Sequence, residues 1–207
     1  MEARERLEEL KARTATYEML AGLFLKEVTA EFLEGLRDDA RFADGPLGEY
    51  AASLAGADLQ QARVDAAADY SALFLGMSAA PVPPYESVYT SEVQLLMQEA
   101  RDDAVRAYRG HGFAPAAEFN LPEDHAGVEL QFMALLCRAQ LTALREGDEE
   151  RAERLAADQA EFLRNHLLGW MPRLCDDVEK RAKTGLYRGL ARMTRQFLEF
   201  EQEDLPA

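Results

Sequence analysis

Apolar residues return at three- and four-residue steps along most of this chain, with polar residues between them. This is the pattern of helices that bury one face. Leu7, Leu10, Tyr17, Leu20, Leu23 and Phe24 mark a first helix over residues 2–27. A short helix from Glu31 turns Phe32, Leu33 and Leu36 inward. Asp44-Gly45-Pro46 reads as a turn, and residues 47–54 allow another short helix. Leu59, Ala62, Ala66, Tyr70, Leu73 and Phe74 stripe a helix over 59–75, and Gly76 suits its C-terminal end. Pro81, Pro83 and Pro84 follow closely. Proline fixes φ and biases the preceding residue away from helix, so residues 77–90 are expected to be an extended surface loop.

Ser91 and Gln94 match a capping box, which predicts a helix from residue 91 with Val93, Leu96, Met97, Ala100, Ala104 and Tyr108 facing inward. Gly110 and Gly112 stop it, and residues 110–121 form a second break, the expected hinge. Pro122 sits near a helix start, with Glu123 and Asp124 in the first turn, and that helix is expected to run to about Glu146 with Val128, Phe132, Leu135 and Leu136 as core. Asp148 opens another, carrying Leu155, Phe162, Leu163 and Leu167 to Gly169. Pro172 and Gly185 punctuate the C-terminal stretch, and Leu186, Leu190, Met193, Phe197 and Leu198 lie on the last helix. No β alternation or internal repeat is visible. The expected fold is all-α: a single globular multi-helix domain over residues 1–207. One helical half covers 1–110 and another 122–207, on either side of a 110–121 hinge.

Composition narrows the partners. Apolar residues make up 48% of the 207, enough for a packed core, and no run is long enough for a membrane span. The N-terminal MEARERLEELKAR alternates charges without an apolar core, so no secretory signal is expected and the cytoplasm is the expected location. The net charge of −15 opposes binding to nucleic acid or anionic lipid and favours basic partners. Residues 173–195 run the other way. Arg173, Lys180, Arg181, Lys183, Arg188, Arg192 and Arg195 face only Asp176, Asp177 and Glu179 there, as a solvated helix surface or a phosphate-binding patch. Cys137 and Cys175, with no CxxC, read as buried thiols rather than a disulfide or zinc site.

Two stretches could carry function. In Asn120–Leu130 two carboxylates and an imidazole meet at a helix entry, and His125 and Glu129 share a face. A di-iron bundle would need two Glu-x-x-His pairs, yet the residues three before the histidines are Tyr108, Pro122 and Leu163. H-E-x-x-H, P-loop and G-x-G-x-x-G patterns are also missing. No catalytic residue, metal ligand set or cofactor is therefore expected. A polar binding site and a plain acidic helix start capped by His125 both stay open. In Tyr85-Glu86-Ser87-Val88-Tyr89 the tyrosines suit peptide recognition, or else pin the loop to the core. Trp170 reads as core.

The chain resembles the TorD/DmsD/NarJ family of molybdoenzyme maturation chaperones. The residues that carry the resemblance are Pro83-Pro84-Tyr85-Glu86-Ser87-Val88-Tyr89 after Tyr70–Gly76, then Pro122-Glu123-Asp124-His125 running into Val128–Met133. Phe162–Leu167 with Trp170, Pro172 and Leu186-Tyr187-Arg188 complete it. Asn120-Leu121-Pro122 stands where the family often has Glu-x-Pro. The resemblance implies an all-helical cytoplasmic chaperone, monomeric or an exchanged homodimer. It would bind the twin-arginine leader or the apo body of a molybdopterin-dependent oxidoreductase catalytic subunit, assist cofactor insertion and hold back export. It also implies a peptide-binding surface from Tyr85, Glu86, Ser87, Tyr89, Glu123, Asp124, His125 and Glu129. Glu86, Asp124 and Glu129 would face basic groups, and the tyrosines would cover apolar side chains. Alternatives are a nitrate-reductase-type chaperone with a non-exported client, a nucleotide-binding or hydrolysing enzyme using the 173–195 segment, and a helical scaffold without a leader site.

Overall fold

Side-chain oxygens start several helices where the periodicity begins. Thr29 accepts from the Phe32 amide, Asp58 from Gln60 and Gln61, and Asp148 from Arg151. In the computed structural model, which describes residues 2–114 and 120–203, the helices are α1 (Glu2–Leu25), α2 (Ala30–Asp38), α3 (Gly48–Ser53) and α4 (Leu59–Phe74). They continue as α5 (Glu86–Thr90), α6 (Glu99–Gly110), α7 (Ala126–Glu146), α8 (Glu149–Phe162), α9 (Leu168–Arg181) and α10 (Gly185–Glu203). A 3-10 turn spans Ala40–Phe42, and a π turn at Leu163–Leu167 joins α8 to α9. Among the described residues there is no strand, and none of the helices is long and apolar enough to cross a membrane. The fold is all-α, as expected.

Two compact units form, and each draws on both ends of the sequence. One comprises α1, the described part of residues 85–170 and residues 202–203. The other comprises residues 26–84 and 171–201. This grouping differs from the expected halves at 1–110 and 122–207. The reason is that α1 lies lengthwise along α7, so the start of the chain packs with residues beyond the expected hinge. Residues 115–119 of that hinge lie outside the described residues. In the first unit Phe132 and Phe162 pack with ring centroids 4.8 Å apart, Tyr108 sits 4.8 Å from Phe132, and His166 stacks on Phe162 at 4.4 Å. In the second, Tyr70, Phe74 and Tyr187 cluster. There the Asp69 carboxylate accepts the Lys183 and Thr184 amides and the Thr184 hydroxyl, fixing the entry to α10.

Several local expectations fail. Residues 86–90 are helical rather than extended, for a reason that lies in the site. The helix expected from Ser91 begins at Glu99 instead. Ser91 donates its amide to the Ser87 carbonyl and so ends α5, while Gln94 and Met97 adopt left-handed backbone with φ of 52° and 59°. Val93, Leu96 and Met97, expected inside, are exposed together with Leu95. Glu123 and Asp124, expected in the first turn of α7, precede it, because α7 starts at Ala126 behind the His125 cap, and Pro172 lies within α9. Cys137 and Cys175 are buried free thiols, as expected.

Gly127 sets how closely α7 approaches α1. A Cβ there would stand 2.4 Å from Leu25 Cγ and 2.9 Å from the Ala21 carbonyl oxygen, and that backbone atom cannot swing aside. Gly127→Ala should lower unfolding free energy by about 1–3 kcal/mol. Gly22→Ala, on α1 with no heavy atom within 4 Å of the new carbon, should raise it by about 0.5–1 kcal/mol. Urea midpoints of the two variants check the contrast.

Candidate functional site

The two signature stretches meet. Tyr85 and His125 form an antiparallel bridge, with their rings edge to face at 5.2 Å. The Glu86 amide donates to the Asp124 carbonyl at 3.0 Å, and the Ser87 amide to Asp124 Oδ2 at 2.8 Å. Asp124 is therefore the cap of α5, supplied from 37 residues away. Pro83 and Pro84 set an extended approach, and the capping carboxylate then lets residues 86–90 close into helix. His125 does the same for α7: its Nδ1 accepts the Gly127 amide at 3.0 Å. That bond requires an unprotonated Nδ1, and burial pushes the His125 pKa down to about 4.

Below this junction lies a buried acidic group. Glu86, Asp124 and Glu129 are each at most 3% exposed. Glu86 Oε2 stands 2.9 Å from His166 Nδ1, and Trp170 Nε1 donates to Glu129 Oε2 at 3.1 Å. Tyr89 lies half-buried against Trp170, centroids 5.6 Å apart. Burial raises the Glu129 pKa well above the usual carboxylate range, and the neighbouring Glu86 charge pushes the same way. Burial also raises Asp124, against the opposing pull of its Ser87 hydrogen bonds. Glu123 makes a bidentate pair with Arg101, at 2.6 and 2.7 Å, which lowers its pKa.

The residues expected to form a peptide-binding surface are thus brought together, but mostly facing inward. Glu86, Ser87, Asp124, His125 and Glu129 are buried and already bonded within the protein, and Glu123 holds Arg101. Tyr85, Tyr89 and Glu123 are the members that keep partial exposure. A guanidinium arriving from solvent does not reach the Asp124 or Glu129 carboxylate in this arrangement.

What faces solvent instead is a cleft of about 920 Å³ in the same unit. Its floor contains Phe132, Phe162 and His166. Glu86, Glu92, Glu99, Asp103, Asp158 and Glu161 line it, and among the described residues no lysine or arginine does, although Asp103 pairs with Arg106 just outside and Asp158 stands 3.5 Å from His111. Val93 sits on its rim, next to the exposed Leu95, Leu96 and Met97, and the Gln98 amide donates to Ser87 Oγ at 3.1 Å. Sequence reasoning missed this cleft. Its signal is one-turn spacing of acids, Glu99 with Asp103 and Asp158 with Glu161, but an ordinary wet helix face has the same spacing.

The three acids of the 173–195 segment each pair with one of its arginines, and the segment keeps its positive excess. Arg195 pairs with Asp176 and Arg192 with Glu179, both at 2.6 Å, Arg181 pairs with Asp177, and Arg188 donates to the Ala182 and Lys183 carbonyls. Much of it is a bridged helix surface, as the solvated-face expectation has it.

Residues 25–176 match the family described as nitrate reductase delta subunit. The chain belongs to that family. It is 32% identical over 142 residues to the chaperone protein TorD of Photobacterium profundum, a match covering 69% of this chain and 64% of that protein. Its match to the chaperone protein TorD of Vibrio cholerae serotype O1 is 28% identical over 208 residues, covering 93% and 91%. The crystal structure of a putative redox enzyme maturation protein from Archaeoglobus fulgidus shares the fold, with a TM-score of 0.52, 21% identity and coverage of 92% and 93%. The chain is a molybdoenzyme maturation chaperone of the TorD/NarJ kind, not an enzyme.

Removing the Asp124 cap should cost stability rather than a surface contact. Asp124→Ala leaves the buried Ser87 amide unpaired and should lose about 2–4 kcal/mol, visible as a fall in Tm. Asp124→Asn keeps an acceptor and should lose less. His125 carries a pH signature. Its folded pKa lies below the unfolded value of about 6.5, so between about 6.5 and 4 the unfolded chain binds more protons, and stability falls as pH drops. Glu129 has the opposite sign: its raised folded pKa gives stability at low pH that is lost as pH rises above 4.5, its ordinary value. His125→Asn keeps a capping acceptor without the titration. It should remove up to about 3 kcal/mol of the acid-side slope, read from urea midpoints between pH 4 and 6.5.

Proposed function

We propose that this chaperone receives the basic N-terminal leader of its molybdoenzyme client in the acidic cleft between α6 and the α8–π-turn segment, in the cytoplasm and before export. The observation that carries the reading is the lining itself: among the described residues it has six carboxylates, two phenylalanine rings and no lysine or arginine. A leader with paired arginines and an apolar stretch complements both halves of it. Its guanidiniums meet Glu92, Glu99, Asp158 and Glu161, and its apolar residues meet the exposed rim of Val93, Leu95, Leu96 and Met97, above the buried Phe132 and Phe162. Tyr85, Glu86, Ser87, Tyr89, Asp124, His125 and Glu129 act behind this surface, holding α5 and α7 in register so that the wall stands.

Magnitudes favour a releasable complex. Solvent-exposed ion pairs give about 0.2–1 kcal/mol each, so charge selects and orients the leader but does not retain it. Burying four apolar side chains at about 3 kcal/mol each, the upper figure, less about 4 kcal/mol for ordering the peptide, leaves at most about −8 kcal/mol, so affinity is micromolar or weaker. A holder that must let go once cofactor is in place needs no more.

The family description favours a second reading, in which the client is a nitrate-reductase-type subunit without an exported leader and the cleft takes a basic segment of the chain itself. Sequencing the N-terminus of the co-purified client separates the two. For the site, a labelled leader peptide is titrated by fluorescence anisotropy against wild type and Glu99→Gln/Asp158→Asn. The double variant should bind about tenfold more weakly, and an Arg-Arg→Gln-Gln peptide should lose a similar factor on wild type. Equal affinities across proteins and peptides would remove the cleft from the reading.

A further inference from the structure

We propose that Glu86, Glu129 and His166 form a binding site for one divalent first-row transition-metal ion beneath the cleft. Each residue offers a ligand atom, and these atoms all lie within 4.8 Å of one another. They come from three elements: the first turn of α5, the first turn of α7 and the π turn. Ligands about 2.0–2.2 Å from an ion stand about 3.0–3.5 Å apart, so the 2.9 Å between Glu86 Oε2 and His166 Nδ1 is already near that of two adjacent ligands.

A second observation points the same way. Glu129 has no exposed surface, and its Oε1 meets no N–H or hydroxyl donor among the described residues. Its contact with Glu86 sets one carboxyl group against another, which is favourable only if a cation, proton or metal, stands between them. No lysine or arginine contributes to the main electrostatic influences on Glu129, while Glu86 and Asp124 both repel it. A divalent ion would balance the two carboxylates that bind it and supply the missing partner for Oε1.

The surroundings suit a metal centre. Trp170 Nε1 fixes Glu129 through its other oxygen, and the Phe162 ring, stacked at 4.4 Å, fixes the His166 plane. The π turn that carries His166 interrupts two regular helices, and such interruptions frequently mark functional positions. Glu86 and His166 line the cleft, which gives an entry path and leaves room for water ligands. Two carboxylates with one imidazole suit Zn²⁺ or Mn²⁺, whereas Ca²⁺ asks for six or more oxygens. The sequence hides the set because its members lie 43 and 37 positions apart, with no short ligand motif.

The experiment uses the full chain, stripped with EDTA, equilibrated with Zn²⁺ or Mn²⁺ alone, desalted and assayed by mass spectrometry for metal. About one ion per chain should remain, with a Tm rise of about 5 °C at saturating metal. Co²⁺ should give a visible absorption band that Zn²⁺ abolishes. Glu129→Gln and His166→Gln, each checked for fold by circular dichroism, should lose at least tenfold in affinity. Glu99→Gln/Asp158→Asn, altered on the cleft wall only, should keep the ion. Should a variant fail to fold, the wild-type stoichiometry and Co²⁺ band decide the matter. Wild type that retains no ion holds a proton-sharing carboxyl pair, and the proposal fails. It fails equally if all variants retain metal alike, because the acidic surface then accounts for the binding.

Discussion

The Asp124 carboxylate accepting the Ser87 amide is the interaction on which the first unit depends. α5 has five residues, too few to persist through its own hydrogen bonds, and it follows two prolines that favour extended chain. A cap brought from 37 positions away turns that stretch into helix and, in the same act, joins it to the residue before α7. His125 then caps α7 and packs its ring against Tyr85. Two segments that each break helical pattern become one junction. Gly127 lets the helix leaving that junction lie against α1.

Charge is sorted by depth in the same unit. Carboxylates at the junction are buried, and their environment favours neutral or partnered forms. Glu99 on α6 and Glu161 at the end of α8 face solvent at the cleft, while Asp103 pairs with Arg106 and Asp158 stands 3.5 Å from His111. The acidic character visible in the −15 net charge is therefore divided between scaffold and surface. A chaperone that holds a basic, partly apolar segment for a limited time needs both: a wall held rigidly in place and a lining whose individual ion pairs are weak.

The helices were legible where apolar periodicity and a local cap coincide. Asp148 announces α8, and Tyr17, Leu20 and Phe24 announce the buried face of α1, while Thr29 and Asp58 cap α2 and α4 where periodicity alone marks the helices. Legibility ended where the cap is distant or shared. Ser91 and Gln94 imitate a capping box, yet Ser91 closes α5, and Val93, Leu95, Leu96 and Met97 are left exposed as a loop. The candidate site was half legible. Tyr85 and His125 were expected to converge and they do, but residue identity alone does not tell a carboxylate facing a ligand from one capping a buried amide. Glu99, Asp103, Asp158 and Glu161 carried too ordinary a spacing to stand out, and His166 became meaningful only when the fold placed it beside Glu86.

The most direct measurement places a photo-reactive group beside the paired arginines of a leader peptide and maps, by peptide mass spectrometry, where it attaches to the wild-type chaperone. Attachment within residues 92–111 and 158–166, competed by unlabelled peptide, is the predicted result. Attachment confined to the 173–195 segment, or to residues 26–84, would contradict it.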